Sequence, residues 1–134
     1  MDKPQMDADE HGFNEITEKI IGCAYTVANA LGYGYLEKVY ENALRVELQA
    51  AGLQVAQQVR LEVQYRGVVV GEYVADLVVE GQVLVELKCA RQIDPIHIAQ
   101  CLNYLKATGL PLSLLINFTD RRVQIKRIIS NQSE

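Results

Sequence analysis

Cysteine and histidine are scarce, with three of the first and two of the second in 134 residues. Cys23, Cys89 and Cys101 are odd in number and form no C-x-x-C pair, so neither a disulfide framework nor a zinc ribbon is encoded. Three reduced thiols are expected. His11 falls in an acidic leading segment and His97 stands apart from it, which argues against a histidine-based zinc site. Any metal held here should be bound through oxygen. Long hydrophobic runs are missing too: the apolar stretch 110–118 falls well short of the roughly 20 residues a membrane-spanning helix needs. The first residues have neither the basic nor the apolar region of a secretory signal, so a cytoplasmic protein is expected. There is no internal repeat, no low-complexity segment and no Gly-rich phosphate loop.

What remains is ordinary globular composition, 49% hydrophobic and 22% charged, in a length that suits one domain. The formal charge of −4 is unevenly placed. Residues 1–80 carry six Lys/Arg against thirteen Asp/Glu, and residues 81–134 carry seven against four. The second part is net basic, and a bound cation would neutralise acids in the first. Net charge therefore does not decide for or against a nucleic-acid partner.

Residues 1–13 lack apolar periodicity and read as a disordered acidic tail, residues 14–129 as the domain, and residues 130–134 as a C-terminal tail. Ile16, Ile20, Cys23, Ala24 and Val27 recur at helical spacing, with Asn14 able to cap the start and Gly32 the end. A second helix is predicted from about Leu36 to Ala51. Leu61, Val63 and Tyr65 alternate with polar residues, as in a half-exposed strand, and Arg66-Gly67 suits a hairpin turn. The segments 68–79 and 83–89 are more continuously apolar and predict strands buried on both faces. Asp94 and Pro95 open a third helix that Gly109 closes. Two more strands follow, at 112–118 and around Val123 and Ile125. The predicted order is ααβββαββ, an α/β domain.

Charges interrupt two of these apolar strands: Asp76 in one, Glu86 and Lys88 in the next. An ion left buried and unpaired costs several kcal/mol, so these groups must pair, hold a cation or face a wet cleft. Two carboxylates beside an ammonium suit Mg²⁺ or Mn²⁺, which keep several waters and leave room for a phosphate. Such an ion lowers the pKa of bound water and polarises a phosphoryl oxygen, while Lys88 orients the water. The competing reading is an internal salt bridge between Lys88 and one of the acids. Register decides whether the two acids can meet. A two-residue turn at Glu80-Gly81 would send Asp76 and Glu86 to opposite faces, whereas a three-residue loop, Glu80-Gly81-Gln82, pairs them. The odd register is the one expected.

Gln100 and Tyr104, one helical turn apart, could line the cleft, with His97 a turn earlier. Gln100 can hold a water or phosphate oxygen, and Tyr104 can donate a hydrogen bond or stack on a base. The alternative for each is a helix–sheet contact with its polar tip exposed. Glu37 lies in a first helical turn, where a carboxylate is favoured by the dipole whatever its task. Its functional reading is a third metal ligand, with Gly34 allowing close approach and Tyr40 bracing the carboxylate.

With these residues placed, Gly34-Tyr35-Leu36-Glu37-Lys38-Val39-Tyr40 resembles the name motif of the GxxExxY proteins, a family placed within the PD-(D/E)xK nuclease superfamily. The resemblance runs from about Asn14 to Ile129. It includes Ala75-Asp76-Leu77, Val85-Glu86-Leu87-Lys88 and the Gln100-x-x-x-Tyr104 spacing of the RecB-like branch. It implies a restriction-endonuclease-like core, a mixed β-sheet flanked by helices. Asp76 and Glu86 would then be metal ligands and Lys88 the catalytic lysine. The residue before Asp76 is Ala75, not the proline of the superfamily's name. The implied activity is metal-dependent hydrolysis of nucleic acid, DNA more than RNA. The alternative is a non-catalytic module of the same fold that binds nucleic acid or a protein. The small surface allows for a homodimer.

Overall fold

Two strands, β3 (Val83–Lys88) and β4 (Leu112–Phe118), are buried along almost their whole length and lie parallel at the heart of a five-stranded sheet. The computed structural model describes residues 3–120 and 122–130, with side chains described from Asn14 onward. Burying a Val or Leu side chain stabilises by roughly 1.5–3 kcal/mol, so these two continuously apolar strands anchor the fold. Parallel neighbours need a crossover, which is α3 (Pro95–Thr108). The remaining elements are α1 (Lys3–Leu31), α2 (Glu37–Ala50), β1 (Val55–Tyr65), β2 (Val68–Val79) and β5 (Val123–Ile129). The order is the predicted ααβββαββ.

In space the strands follow chain order, β1-β2-β3-β4-β5, and every neighbouring pair except β3–β4 is antiparallel. One face of the sheet packs on α1 and α2 through Ile20, Tyr40, Leu44, Leu77, Val85 and Ile116, among others. The other packs on α3 through Leu84, Cys101, Leu105 and Leu115. Alternation along β3 thus sends Val83, Val85 and Leu87 to the first core and Leu84 to the second.

Three sequence expectations are corrected. Helical backbone in α1 is described from Lys3, so Asn14 lies inside the helix and does not cap it; residues 1–2 and 131–134 of the two expected tails lie outside the described residues. The first half of β2 is not buried on both faces: Val68, Val69, Val70 and Val74 are exposed. That half pairs only with β1, as a ribbon closed by Arg66 and Gly67, both at positive φ, which is the backbone of a two-residue hairpin turn. Finally, β1 begins at Val55 and not at the Leu61 alternation. Among the described residues no helix is long and apolar enough to cross a membrane.

Candidate metal centre

β2 and β3 pair for only three rungs, Val79 with Val83, Val78 with Leu84 and Leu77 with Val85. The three-residue loop Glu80-Gly81-Gln82 sets this odd register, helped by left-handed backbone at Glu80 and Gly81. Beyond Leu77 the ladder opens, and the next rung would hold Asp76 and Glu86. Their side chains bridge the gap reciprocally. The Asp76 backbone N–H donates to Glu86 Oε2 at 3.1 Å, and the Leu87 N–H donates to Asp76 Oδ2 at 2.8 Å. Each carboxylate thus replaces a backbone acceptor that the splayed ladder no longer supplies.

The opening has a cause in β1. Gln58 adopts φ 55, and its rung opposite Asp76 is missing between Gln57–Leu77 and Val59–Ala75. Strict alternation would put Ala75 and Leu77 in one core, yet Leu77 packs on the α1–α2 side and Ala75 on the α3 side. The left-handed residue turns the ribbon over at this point. Glu41 of α2, buried at 3% exposed, fixes the twist: its Oε2 accepts the side-chain amides of Gln57 and Gln58, each at 2.7 Å. Lys38 pairs with the same carboxylate at 3.1 Å.

Electrostatics at the gap favour protons over bare charge. Glu86 is 7% exposed, and its carboxyl is pushed up to about 8. Burial contributes most, repulsion from Asp76 adds to it, and the Asp76 N–H and Lys88 oppose it. Asp76 is raised chiefly by burial, against the stabilising Leu87 N–H. Glu37 is also raised, by burial first, and exchanges charge effects with Lys88 and Asp76. Lys88, half-buried, makes no ion pair with Asp76 or Glu86; among the described residues the ion pairs are Lys38–Glu41 and Arg60–Glu72. The internal salt bridge, the competing reading of the sequence, is therefore not what the acids do.

The donor set fits a hard divalent ion better than a fully caged one. All its atoms are carboxylate oxygens, and one oxygen of each acid is already aimed by a backbone N–H. Among the described residues no three of His, Cys, Asp and Glu cluster closely enough to cage a metal. Mg²⁺ and Mn²⁺ suit a site where two carboxylates leave the remaining positions to water and phosphate. Glu37, at the start of α2, lies close enough to Asp76, Glu86 and Lys88 for their charges to act on one another.

The other predicted residues divide. Tyr104 reaches the centre: it stacks on Tyr73 of β2 with ring centroids 3.8 Å apart, and burial first and Glu86 second raise its phenol. Gln100 is half-buried one turn earlier on α3. His97 is engaged at the helix end, where its Nδ1 accepts the Asp94 backbone N–H at 3.2 Å and closes the start of α3. Tyr40 does not brace Glu37. Its hydroxyl donates to the Gly32 carbonyl at 2.6 Å and accepts the Tyr35 N–H at 3.4 Å, while its ring stacks on Phe118. Gly34 sits at φ 110, a conformation that favours glycine. In the motif, then, the glycine and tyrosine shape the loop that presents Glu37.

Sequence reasoning missed three residues. Glu41 could have been found as a second acid one helical turn after Glu37. Tyr73 gave no signal beyond an aromatic in a strand, yet its buried hydroxyl has no hydrogen-bond partner and its ring lines a cleft of about 660 Å³ with Tyr104, Asn103 and Lys106. Asn117, fully buried in β4, holds both the N–H and the carbonyl of Ala90, at 2.8 and 3.0 Å. That pins the chain leaving Lys88.

The sequence profile of the PD-(D/E)XK nuclease superfamily matches residues 14–128. The chain belongs to this superfamily. No curated protein matches it. Among solved structures it resembles an alkaline exonuclease from Laribacter hongkongensis, with TM-score 0.55 and 16% identity over 83% of this chain and 69% of that one. It also resembles the protein SSO0001, with TM-score 0.54 and 18% identity over 69% of this chain and 49% of that one. The chain thus spans about half of the latter's length. At these identities the likeness establishes the fold, which is restriction-endonuclease-like.

Proposed function

We propose that this chain is a Mg²⁺- or Mn²⁺-dependent nuclease that hydrolyses phosphodiester bonds, in DNA more than in RNA. The observation that carries the reading is the pair of carboxylates bridging a splayed strand junction beside a lysine that is paired with neither. A structural ion pair would have closed that lysine onto an acid. Superfamily membership and the exonuclease neighbour support the same class.

Asp76 and Glu86 would hold the ion, which supplies a more acidic water and charge compensation at phosphorus. Lys88, on the same face of β3 as Glu86, orients the attacking water and offsets charge on the phosphoryl oxygens. Gln100 positions a water or a phosphate oxygen, and Tyr104 donates to, or stacks on, the nucleotide next to the cleaved bond. Glu37, presented at the start of α2, would be a further ligand of the ion.

The test is cleavage of labelled single- and double-stranded DNA and RNA with and without Mn²⁺. Asp76→Ala, Glu86→Ala and Lys88→Ala should each lower the rate by about a hundredfold or more. Cleavage that survives all three substitutions, or no cleavage of any substrate, would overturn the reading. In the second case, salt-dependent binding unaffected by chelators would identify a non-catalytic binding module.

A further inference from the structure

β1 borders the sheet, and on its outer side no strand pairs with it among the described residues. An open edge of this kind is a template for another chain, and proteins usually blunt it with short length, proline, charges or a bulge. β1 has no proline, and its irregularities leave one short regular stretch free to pair. Its middle reads Gln58-Val59-Arg60-Leu61-Glu62-Val63-Gln64, the same sequence in both directions except that Arg60 and Glu62 exchange sign. The backbone marks the same centre. Left-handed Gln58 and the bulge at Val63/Gln64 confine regular strand to Val59–Val63, whose midpoint is Leu61.

We propose that two copies of this chain join edge to edge through β1, antiparallel and two-fold symmetric about Leu61, so that one sheet runs through both. In that register Arg60 lies opposite the partner's Glu62 and Glu62 opposite the partner's Arg60. Val59 meets the partner's Val63, and Leu61 meets its own copy. A two-fold contact requires this kind of self-complementarity, and opposite charges facing across strands stabilise the pairing whereas like charges oppose it.

Charge within a single copy leaves room for the partner. Glu62 is directly opposite Glu72 in the β1–β2 register, a like-charge pair. Arg60 is drawn to Glu72 at 3.3 Å, with both side chains well exposed. Glu72 and Glu62 therefore share one cation, and the partner's Arg60 supplies a second. Val63, 41% exposed, would be covered at the same time. Glu62, Val63 and Gln64 also line the cleft that holds Tyr73 and Tyr104, so the partner's β1 would border that cleft. The inference does not rest on the nuclease reading.

The experiment is sedimentation or light scattering of the full chain over a wide concentration range, for wild type, Arg60→Glu, Glu62→Arg and the double reversal. Wild type should dimerise. Each single reversal makes both symmetry-related pairs repulsive and should weaken the dimer by about tenfold or more, while the double reversal restores opposite charges and returns the affinity to near wild type. Thermal unfolding verifies that each variant is folded. Should a reversal fail to fold, the Arg60→Ala, Glu62→Ala and double-alanine cycle reads the same coupling at smaller amplitude. A wild type that stays monomeric overturns the proposal, as do single reversals that dimerise normally or a double reversal no better than the singles.

Discussion

Replacing Glu86 with glutamine should make the metal-free protein more stable at alkaline pH and blind to the metal. The reasoning starts from burial. Glu86 lies between the sheet and α3, repelled by Asp76, and its carboxyl is raised from an ordinary 4.5 to about 8. A carboxyl raised in the folded state is protonated there while the unfolded chain has already ionised. The stability it contributes is complete below pH 4.5 and is lost as pH rises through about 8. At about 1.4 kcal/mol per pH unit the loss is on the order of 3–5 kcal/mol, or roughly 10 °C or more in melting temperature for a chain of this size. Asp76 and Glu37 are raised as well, chiefly by burial, and add with the same sign. Glutamine keeps an oxygen for the Asp76 N–H but never ionises. Glu86→Gln should therefore flatten the decline between pH 5 and 8.5 and melt higher than wild type at the upper end. Wild type should recover much of its loss on adding Mg²⁺ or Mn²⁺, which bind the ionised acids, release protons and stabilise by about 2.7 kcal/mol at a hundred times Kd. The variant should not. Differential scanning calorimetry in chelator and in metal reads all four quantities. A metal-free wild type whose stability is flat or rises over that interval would refute the argument, as would a variant stabilised equally by the ion.

Two further substitutions separate structural from chemical roles. Tyr40→Phe removes the hydroxyl that clamps Gly32 and Tyr35 and should cost about 1–2 kcal/mol in urea denaturation; an unchanged midpoint would show that the loop does not depend on this bond. Tyr73→Phe removes a buried hydroxyl without a partner while keeping the stack on Tyr104. It should leave stability unchanged or raise it by about 1 kcal/mol, and a loss of more than that would mean that the hydroxyl makes a bond in solution.

The element order was legible because each signal is local. Continuous apolar runs mark β3 and β4, and Asp94-Pro95 with Gly109 frames α3. The Glu80-Gly81-Gln82 register was legible for a different reason, since only an odd loop length lets Asp76 meet Glu86. Hidden from the sequence was every feature set by contacts between distant segments. Period-two reasoning assumed unbroken strands, so it could not see that Gln58 turns the ribbon over and sends Ala75 and Leu77 to opposite cores. Nor could β-branched composition reveal that Val68–Val70 stand clear of the helices. His97 and Tyr40 were open to a site reading because their side chains can serve chemistry, and the backbone groups that claim them are fixed only by tertiary position.

These hidden features are linked, and the link explains why the geometry of Asp76 and Glu86 depends on a segment about forty residues upstream. Tyr40 anchors the turn that starts α2, which sets where the helix lies on the sheet. One residue later in the same helix, Glu41 gathers the amides of Gln57 and Gln58 and so stabilises the left-handed kink. That kink removes the rung opposite Asp76. A strand with an intact rung on both sides would keep Asp76 as one more regular residue of a closed ladder, its carboxylate unable to reach the Leu87 N–H across the gap. Leaving Glu41 without its charge would therefore act on Asp76 in two ways, through the kink and by removing one of the charges that raise its carboxyl. Glu41→Gln keeps one acceptor but gives up the Lys38 ion pair, so its effect should fall on β1–β2 geometry, visible as faster amide exchange around Gln58, before it falls on global stability.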